Sequence, residues 1–212
     1  MTAQIHSLIS LKDTGLLDAL GEPRRYEDGA EIFRQGGAAC SVYRIVSGVV
    51  RTTRLAEDGR RQIGDFHFPG ELLGLEEAAE HAFAAEALGE CEVVAIRRPV
   101  LERTAAENLS VANALRHAGA ERLRKMQRHL IQIGRKSAIE RVATVLAQFA
   151  RHAEEEVVDL PMSRQDIADY LGLTIETVSR MISQLQASKV IRLTTLRQMR
   201  ICDPQALRQL AA

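Results

Sequence analysis

No run of about 18 apolar residues occurs in this 212-residue chain, so no segment reads as a membrane-spanning helix. The opening residues lack a basic stretch followed by a long apolar one. They do not read as a secretory signal, and the cytoplasm is the expected compartment. Cysteine is scarce. Cys40, Cys91 and Cys202 are too few and too scattered for a disulfide framework, and each is expected as a reduced thiol. No two of the six histidines stand at HxH or HxxxH spacing, which argues against an intrachain metal site. Phosphate-binding and dinucleotide-binding glycine loops are missing, as is a nucleophile elbow. An enzyme built on a jelly roll, as in cupins, would need a His/Glu metal cluster in the barrel, and none is readable. No catalysis, metal or cofactor is expected.

Net charge is lacking too, with 28 Lys and Arg against 28 Asp and Glu, but the charges are segregated along the chain. Residues 1–96 hold 9 basic against 16 acidic residues, and residues 97–136 hold 10 against 3. From Ser163 onward the balance is 7 against 4. A neutral total therefore leaves room for nucleic acid, which responds to a local basic face.

What is present falls into three regions, read as residues 1–98, 99–136 and 137–212. From about residue 22 to 98, glycines punctuate short, partly alternating segments such as Val42-Tyr-Arg-Ile-Val46 and Val49-Val-Arg-Thr-Thr-Arg-Leu55. Glu57-Asp58-Gly59 is a hairpin signal, and the spacing of turns predicts a small antiparallel barrel or jelly roll. After Pro99, a helix is expected from about Glu107 to Lys136. Its apolar stripe runs Leu109, Ala112, Leu115, Gly119, Leu123, Met126, Leu130 and Ile133. Such a stripe serves either packing on the helix's own domain or a dimer seam. Length favours the seam, since ~30 residues span ~45 Å. In the last region Ile139, Val142, Val145, Leu146 and Phe149 mark an amphipathic helix ending near Glu154-Glu155-Glu156.

The most informative stretch runs from Pro161 to Leu185. Ser163 is placed to cap a helix, with Asp166 in its first turn, and Ile167, Ala168 and Leu171 form the buried side. Gly172 supplies the positive φ of a helix-turn-helix connection. Thr174 caps a second helix whose inner face is Val178, Ile182 and Leu185. Ile175, Glu176, Ser179, Arg180 and Ser183 are left near the outer face. There a carboxylate can accept from cytosine N4, an arginine can bridge guanine O6 and N7, and aliphatic carbon can touch a thymine methyl. Two short segments, Val190–Leu193 and Met199–Cys202, read as a β wing whose Arg192, Arg197 and Arg200 can meet phosphates. Its connection has no Gly, Asn or Asp, which leaves the turn type open.

An acidic β-domain, a long helix and a winged helix-turn-helix resemble the layout of the CRP/FNR superfamily of bacterial regulators. The likeness covers nearly the whole chain. It rests on Gly29-Ala-Glu-Ile-Phe-Arg-Gln-Gly36, Val42-Tyr-Arg-Ile-Val-Ser-Gly48, Pro69-Gly-Glu-Leu-Leu-Gly-Leu75 and, most specifically, Gly172-Leu-Thr-Ile-Glu-Thr-Val-Ser-Arg180. The Glu176-x-x-Ser179-Arg180 of the last segment resembles the FNR and FixK branch. Gly59-Arg-Arg-Gln-Ile63, Phe66-His-Phe-Pro-Gly70 and Leu160-Pro-Met162 through Asp169-Tyr-Leu-Gly-Leu173 are similar to FixK proteins of α-proteobacteria.

That resemblance implies an α+β chain with a cyclic-nucleotide-binding-type β jelly roll, a dimerisation helix and a winged helix-turn-helix. It also implies a homodimeric activator of micro-oxic, nitrogen-fixation or denitrification genes that reads TTGA…TCAA, with duplex DNA and RNA polymerase as partners. The expected DNA-facing set is Ser163, Thr174, Ile175, Glu176, Ser179, Arg180 and Arg197. Where cyclic-AMP-binding members carry an Arg-Ser phosphate clamp, this chain has about His81-Ala82, so Glu71 stands without it and cyclic AMP is not expected. The N-terminal cysteines of cluster-binding members are missing as well. Cys40 and Cys91 read as residues of the β-domain, with a redox role as the alternative. Cys202 reads as a buried, inert thiol, the alternative being a thiol near the wing that modulates DNA binding when oxidised. The alternative is a haem- or small-ligand-gated member sensing nitric oxide or redox state, with His6, His67 or His81 as axial ligand.

Overall fold

The computed structural model describes residues 11–76, 78–153 and 157–212, with side chains from residue 15 on. His6 and the Glu154-Glu155-Glu156 helix end lie outside the described residues. Packing divides the chain into two compact units. The first comprises residues 1–58 and 64–126, and the second comprises residues 59–63 and 127–212.

The first unit opens with helix α1 (Leu11–Asp18). Strands β1 (Glu22–Tyr26), β2 (Glu31–Phe33), β3 (Ser41–Leu55), β4 (Arg61–His67, of which residues 64–67 belong to this unit), β5 (Leu72–Leu73) and β6 (Ala84–Arg97) follow. The sheet runs β1-β6-β3-β4, with β2 also on β6 and β5 on β3. Successive side chains of a strand face opposite ways, and here both faces are covered. Tyr43 and Ile45 enter one apolar cluster with Phe33, Val50, Leu73 and Val93. Val42 enters a second with Leu17, Leu72, Ile96, Leu101, Val111 and Ala114. Residues 42–45 are therefore buried without a break. Arg44 is tolerated there because Asp18 pairs with it.

The segments on either side of Gly48 are one strand of 15 residues. The ladder with β6 shifts register between Ile45 and Ser47 and again before Val49, then continues. Gly48, at φ +81°, permits this bulge, and a Cβ there would lie 2.4 Å from the Glu90 carbonyl oxygen.

Residues 98–135 form two helices, α2 (Arg98–Glu107) and α3 (Leu109–Arg135). Asn108 separates them with extended backbone, and its side-chain oxygen accepts from Ser110 N (2.9 Å) and Val111 N (3.3 Å), starting α3 afresh. Val111 and Ala114 anchor the start of α3 in the core. By contrast Leu109, Leu123, Met126 and Leu130 are all more than half exposed.

The second unit holds α4 (Ala138–Ala150), β7 (Val157–Asp159), α5 (Arg164–Leu171), α6 (Ile175–Ala187), β8 (Ile191–Thr195), β9 (Gln198–Ile201) and α7 (Pro204–Ala211). A reciprocal Ser137–Glu140 capping box opens α4. Val142, Val145, Leu146 and Phe149 fill the core beside Leu171, Val178, Leu185 and Met199. The small sheet runs β7-β9-β8.

Candidate nucleic-acid interface

Helices α5 and α6 are fixed by local chemistry. Ser163 Oγ accepts from Asp166 N at 3.0 Å, while Asp166 Oδ2 accepts from Ser163 N at 2.8 Å. This is a capping box with Asp in place of the usual Glu. Asp166 is almost wholly buried. Its other oxygen accepts from Arg61 Nη2 at 2.6 Å, and the same guanidinium reaches Asp169 Oδ2 at 2.8 Å. Arg61, in the segment 59–63 that packs with this unit, thus compensates a carboxylate that burial alone would penalise. Sequence reading gave Arg61 no role, since the partners lie more than 100 residues apart.

Gly172 closes α5 in the left-handed region at φ +62°. Thr174 Oγ1 then accepts from Thr177 N at 3.3 Å and starts α6. Val178, Ile182 and Leu185 point inward and are buried. Ile175, Glu176, Arg180 and Ser183 are exposed on the other side, with Ser179 half-buried among them. Glu176 sits in the first turn of α6. Its own backbone N–H and the Thr174 hydroxyl hold its carboxyl below the usual carboxylate range, so at neutral pH it presents a full negative charge. Arg180 makes one long contact, from Nη2 to Thr177 Oγ1 at 3.4 Å. Its fork is therefore available to an external acceptor pair.

Arg164, the first residue of α5, donates from Nη1 to Ser179 Oγ at 3.2 Å. Sequence spacing gave no sign of this pair. The wing lies in β8 and β9, which pair from Ile191↔Ile201 to Thr195↔Gln198 around a two-residue turn, Leu196-Arg197. No residue of that turn has positive φ, so the usual mirror-image hairpin turn is absent. A register shift between Leu193 and Thr195 takes up the mismatch, and Arg197 N donates to Thr195 Oγ1 at 3.2 Å. Gln186 Oε1 accepts from Leu193 N at 3.2 Å, tying α6 to the wing. Arg192, Arg197 and Arg200 are exposed. Cys202, expected to be buried, is exposed instead, because it lies just past the end of β9 and before the Asp203 cap of α7.

In the β-domain, Glu71 is tied up internally. Lys125 of α3 donates to it at 3.1 Å, to Asp65 Oδ2 at 2.9 Å and to the Phe66 carbonyl at 2.6 Å. His67 Nδ1 lies 3.0 Å from Glu71, and its Nε2 lies 3.3 Å from Thr52 Oγ1. Burial pushes the Glu71 pKa up, but the His67 hydrogen bond and the Lys125 charge outweigh it and hold it at about 2. His81 is buried and stacked on Phe33 with ring centroids 3.9 Å apart. Burial lowers its pKa, against the pull of Glu76 and with the push of Arg98, so it is neutral at physiological pH. Arg98 spends its guanidinium on the carbonyls of Ala39, Gly74 and Glu76. The residues present therefore do not fit a cyclic nucleotide: the carboxylate is engaged, and neither His81 nor Arg98 offers a free cation for a phosphate. Burial pushes the Cys91 thiol up to about 11, which leaves it unreactive. No group of three or more His, Cys, Asp or Glu suited to a metal ion occurs among the described residues.

Two families match the chain, the Crp-like helix-turn-helix domain over residues 140–210 and the cyclic nucleotide-binding domain over residues 23–108. The nitrogen fixation regulation protein FixK of Azorhizobium caulinodans is 42% identical over 209 residues, covering 95% of this chain and 84% of that protein. FixK of Rhizobium meliloti is 41% identical, covering 87% and 85%. Among solved structures, FixK2 from Bradyrhizobium japonicum superposes with a TM-score of 0.84 at 42% identity, covering 91% of this chain and 98% of that one.

Proposed function

The chain belongs to the CRP/FNR family of transcriptional regulators, and from that premise we propose that it is a FixK-type homodimeric activator that reads a TTGA…TCAA palindrome. One observation carries the reading. The α5–Gly172–α6 hairpin, capped by Ser163 and Thr174, buries Val178, Ile182 and Leu185 and turns Ile175, Glu176, Ser179 and Arg180 outward. In the complex, α6 enters the major groove. Arg180 bridges the guanine of TTGA, Glu176 accepts from the cytosine paired to it or from a neighbouring base, and Ile175 covers a thymine methyl. Ser163, Thr174 and Arg197 meet phosphates and set register without reading sequence.

The dimer forms on the exposed Leu109–Leu130 stripe of α3. Residues 1–98 then serve as the sensor-type domain, 99–136 as the dimerisation segment and 137–212 as the reader. The protein works in the cytoplasm with RNA polymerase as partner, holds no cofactor and catalyses no reaction of its own. The names of the FixK relatives favour nitrogen-fixation genes as targets, and the family resemblance adds micro-oxic respiration and denitrification genes. Selection of binding sites from random duplexes tests the reading. Enrichment of TTGA…TCAA is expected, and a selected sequence without two-fold symmetry overturns it.

A further inference from the structure

The serines at the end of α5–α6 are not equivalent. Ser183 donates its hydroxyl to the Ser179 carbonyl at 3.0 Å, and Ser188 donates to the Gln184 carbonyl at 3.0 Å. This four-residue back-bond is the ordinary fate of a helical serine. Ser179 makes no such bond. Its Oγ instead accepts from Arg164 Nη1. A guanidinium only donates, so in this contact Ser179 has to be the acceptor. A hydroxyl has a single proton, and among the described residues that proton meets no acceptor.

We propose that Arg164 is a positioning residue that sets the hydrogen-bond polarity of Ser179 and thereby the base it tolerates. This rests on the reading of Ser179 as a base-contacting residue. With the Arg164 guanidinium on one lone pair, the Ser179 hydroxyl turns its proton away from α5 and toward the groove. It then favours a base edge that accepts, namely thymine O4, adenine N7 or guanine O6 and N7. It disfavours cytosine, whose major-groove edge is the N4 donor. Serine alone accommodates either edge, so the discrimination comes from the pair. Arg164 is held for this role at the first position of a helix whose capping residues, Ser163 and Asp166, are themselves locked.

The test uses the full-length protein and a panel of duplexes with each position of the selected half-site changed to every other base. Ser179→Ala locates its position as the one where base preference flattens. There the wild type is expected to reject cytosine by roughly tenfold, and Arg164→Ala to reduce that to about twofold. Arg164→Lys keeps a donor and is expected to restore most of the discrimination. The double variant should be no flatter than Ser179→Ala alone. Should Arg164→Ala melt early, Arg164→Met keeps the aliphatic stem without a donor and carries the same comparison. A uniform loss on every duplex, with the salt slope reduced by about two for the dimer, would make Arg164 a phosphate contact with no hold on Ser179. The proposal then fails while the base-reading role of Ser179 stands. If Ser179→Ala flattens no position, the base-reading assignment itself fails and the proposal with it.

Discussion

At the scale of single residues, Glu71 and Arg180 show the two uses this chain makes of charge. Glu71 is spent inward. Its folded pKa of about 2 lies below the usual 4.5, so the unfolded state binds its proton first. The stability it contributes is present above pH 4.5 and is lost as pH falls toward 2. Full burial would set that contribution near ~3 kcal/mol, and its partial exposure reduces it to ~2 kcal/mol or less. Urea unfolding of the wild type and Glu71→Gln is expected to differ most near pH 6 and to converge only as pH falls to about 2. A difference independent of pH would mean that Glu71 acts through packing alone. Arg180 is spent outward, with only a long contact to Thr177. Arg180→Ala is expected to weaken operator binding by ~1–3 kcal/mol per half-site and to relax preference at one base pair, without changing thermal stability. Equal weakening on a consensus duplex and on one with the guanine replaced would reassign Arg180 to the phosphates.

At the scale of elements, α3 is the clearest consequence of pattern. Its buried side, Val111 and Ala114, differs from its exposed stripe of Leu109, Leu123, Met126 and Leu130. That much apolar surface on one long helix is what a coiled-coil seam presents. Met126→Glu places a charge in the seam and is expected to give monomers in sedimentation and a loss of operator affinity of at least tenfold. An unchanged dimer would move the interface elsewhere. The helix-turn-helix was legible residue by residue because its signals are local: a capping serine, a glycine that must take positive φ, a capping threonine and apolar spacing of three and four. Features that depend on distant partners were not legible. The three-residue β7 exists only through its ladder with β9. Helix α7 is short and is held by the Asp203 cap and the buried Leu207. Lys189 takes positive φ after α6 without being glycine, so no composition signal marked that turn. Gly48 misled in the other direction, since a glycine that permits a bulge reads the same as one that ends a strand.

At the scale of the whole molecule, the neutral total of 28 against 28 charges carries no information about DNA affinity. Binding depends on the cations that reach phosphates, and each one displaces condensed counterions from the duplex. If Arg197 on the wing tip makes such a contact in each protomer, Arg197→Ala should weaken consensus and altered duplexes alike and lower the steepness of the salt dependence by about two for the dimer. Two α6 helices related by a dimer axis also impose a distance. Half-sites must lie about one helical turn, ~34 Å, apart so that both fall on one face of the duplex. Inserting about five base pairs between the half-sites rotates one to the opposite face and should reduce affinity to that of a single half-site. Adding Met126→Glu to the Arg197→Ala background should then make the spacing irrelevant, because monomers do not measure it. Gel-shift titrations of the wild type on native and spacer-extended palindromes decide the matter. Equal affinity for both would mean that the two reading heads are not coupled through α3.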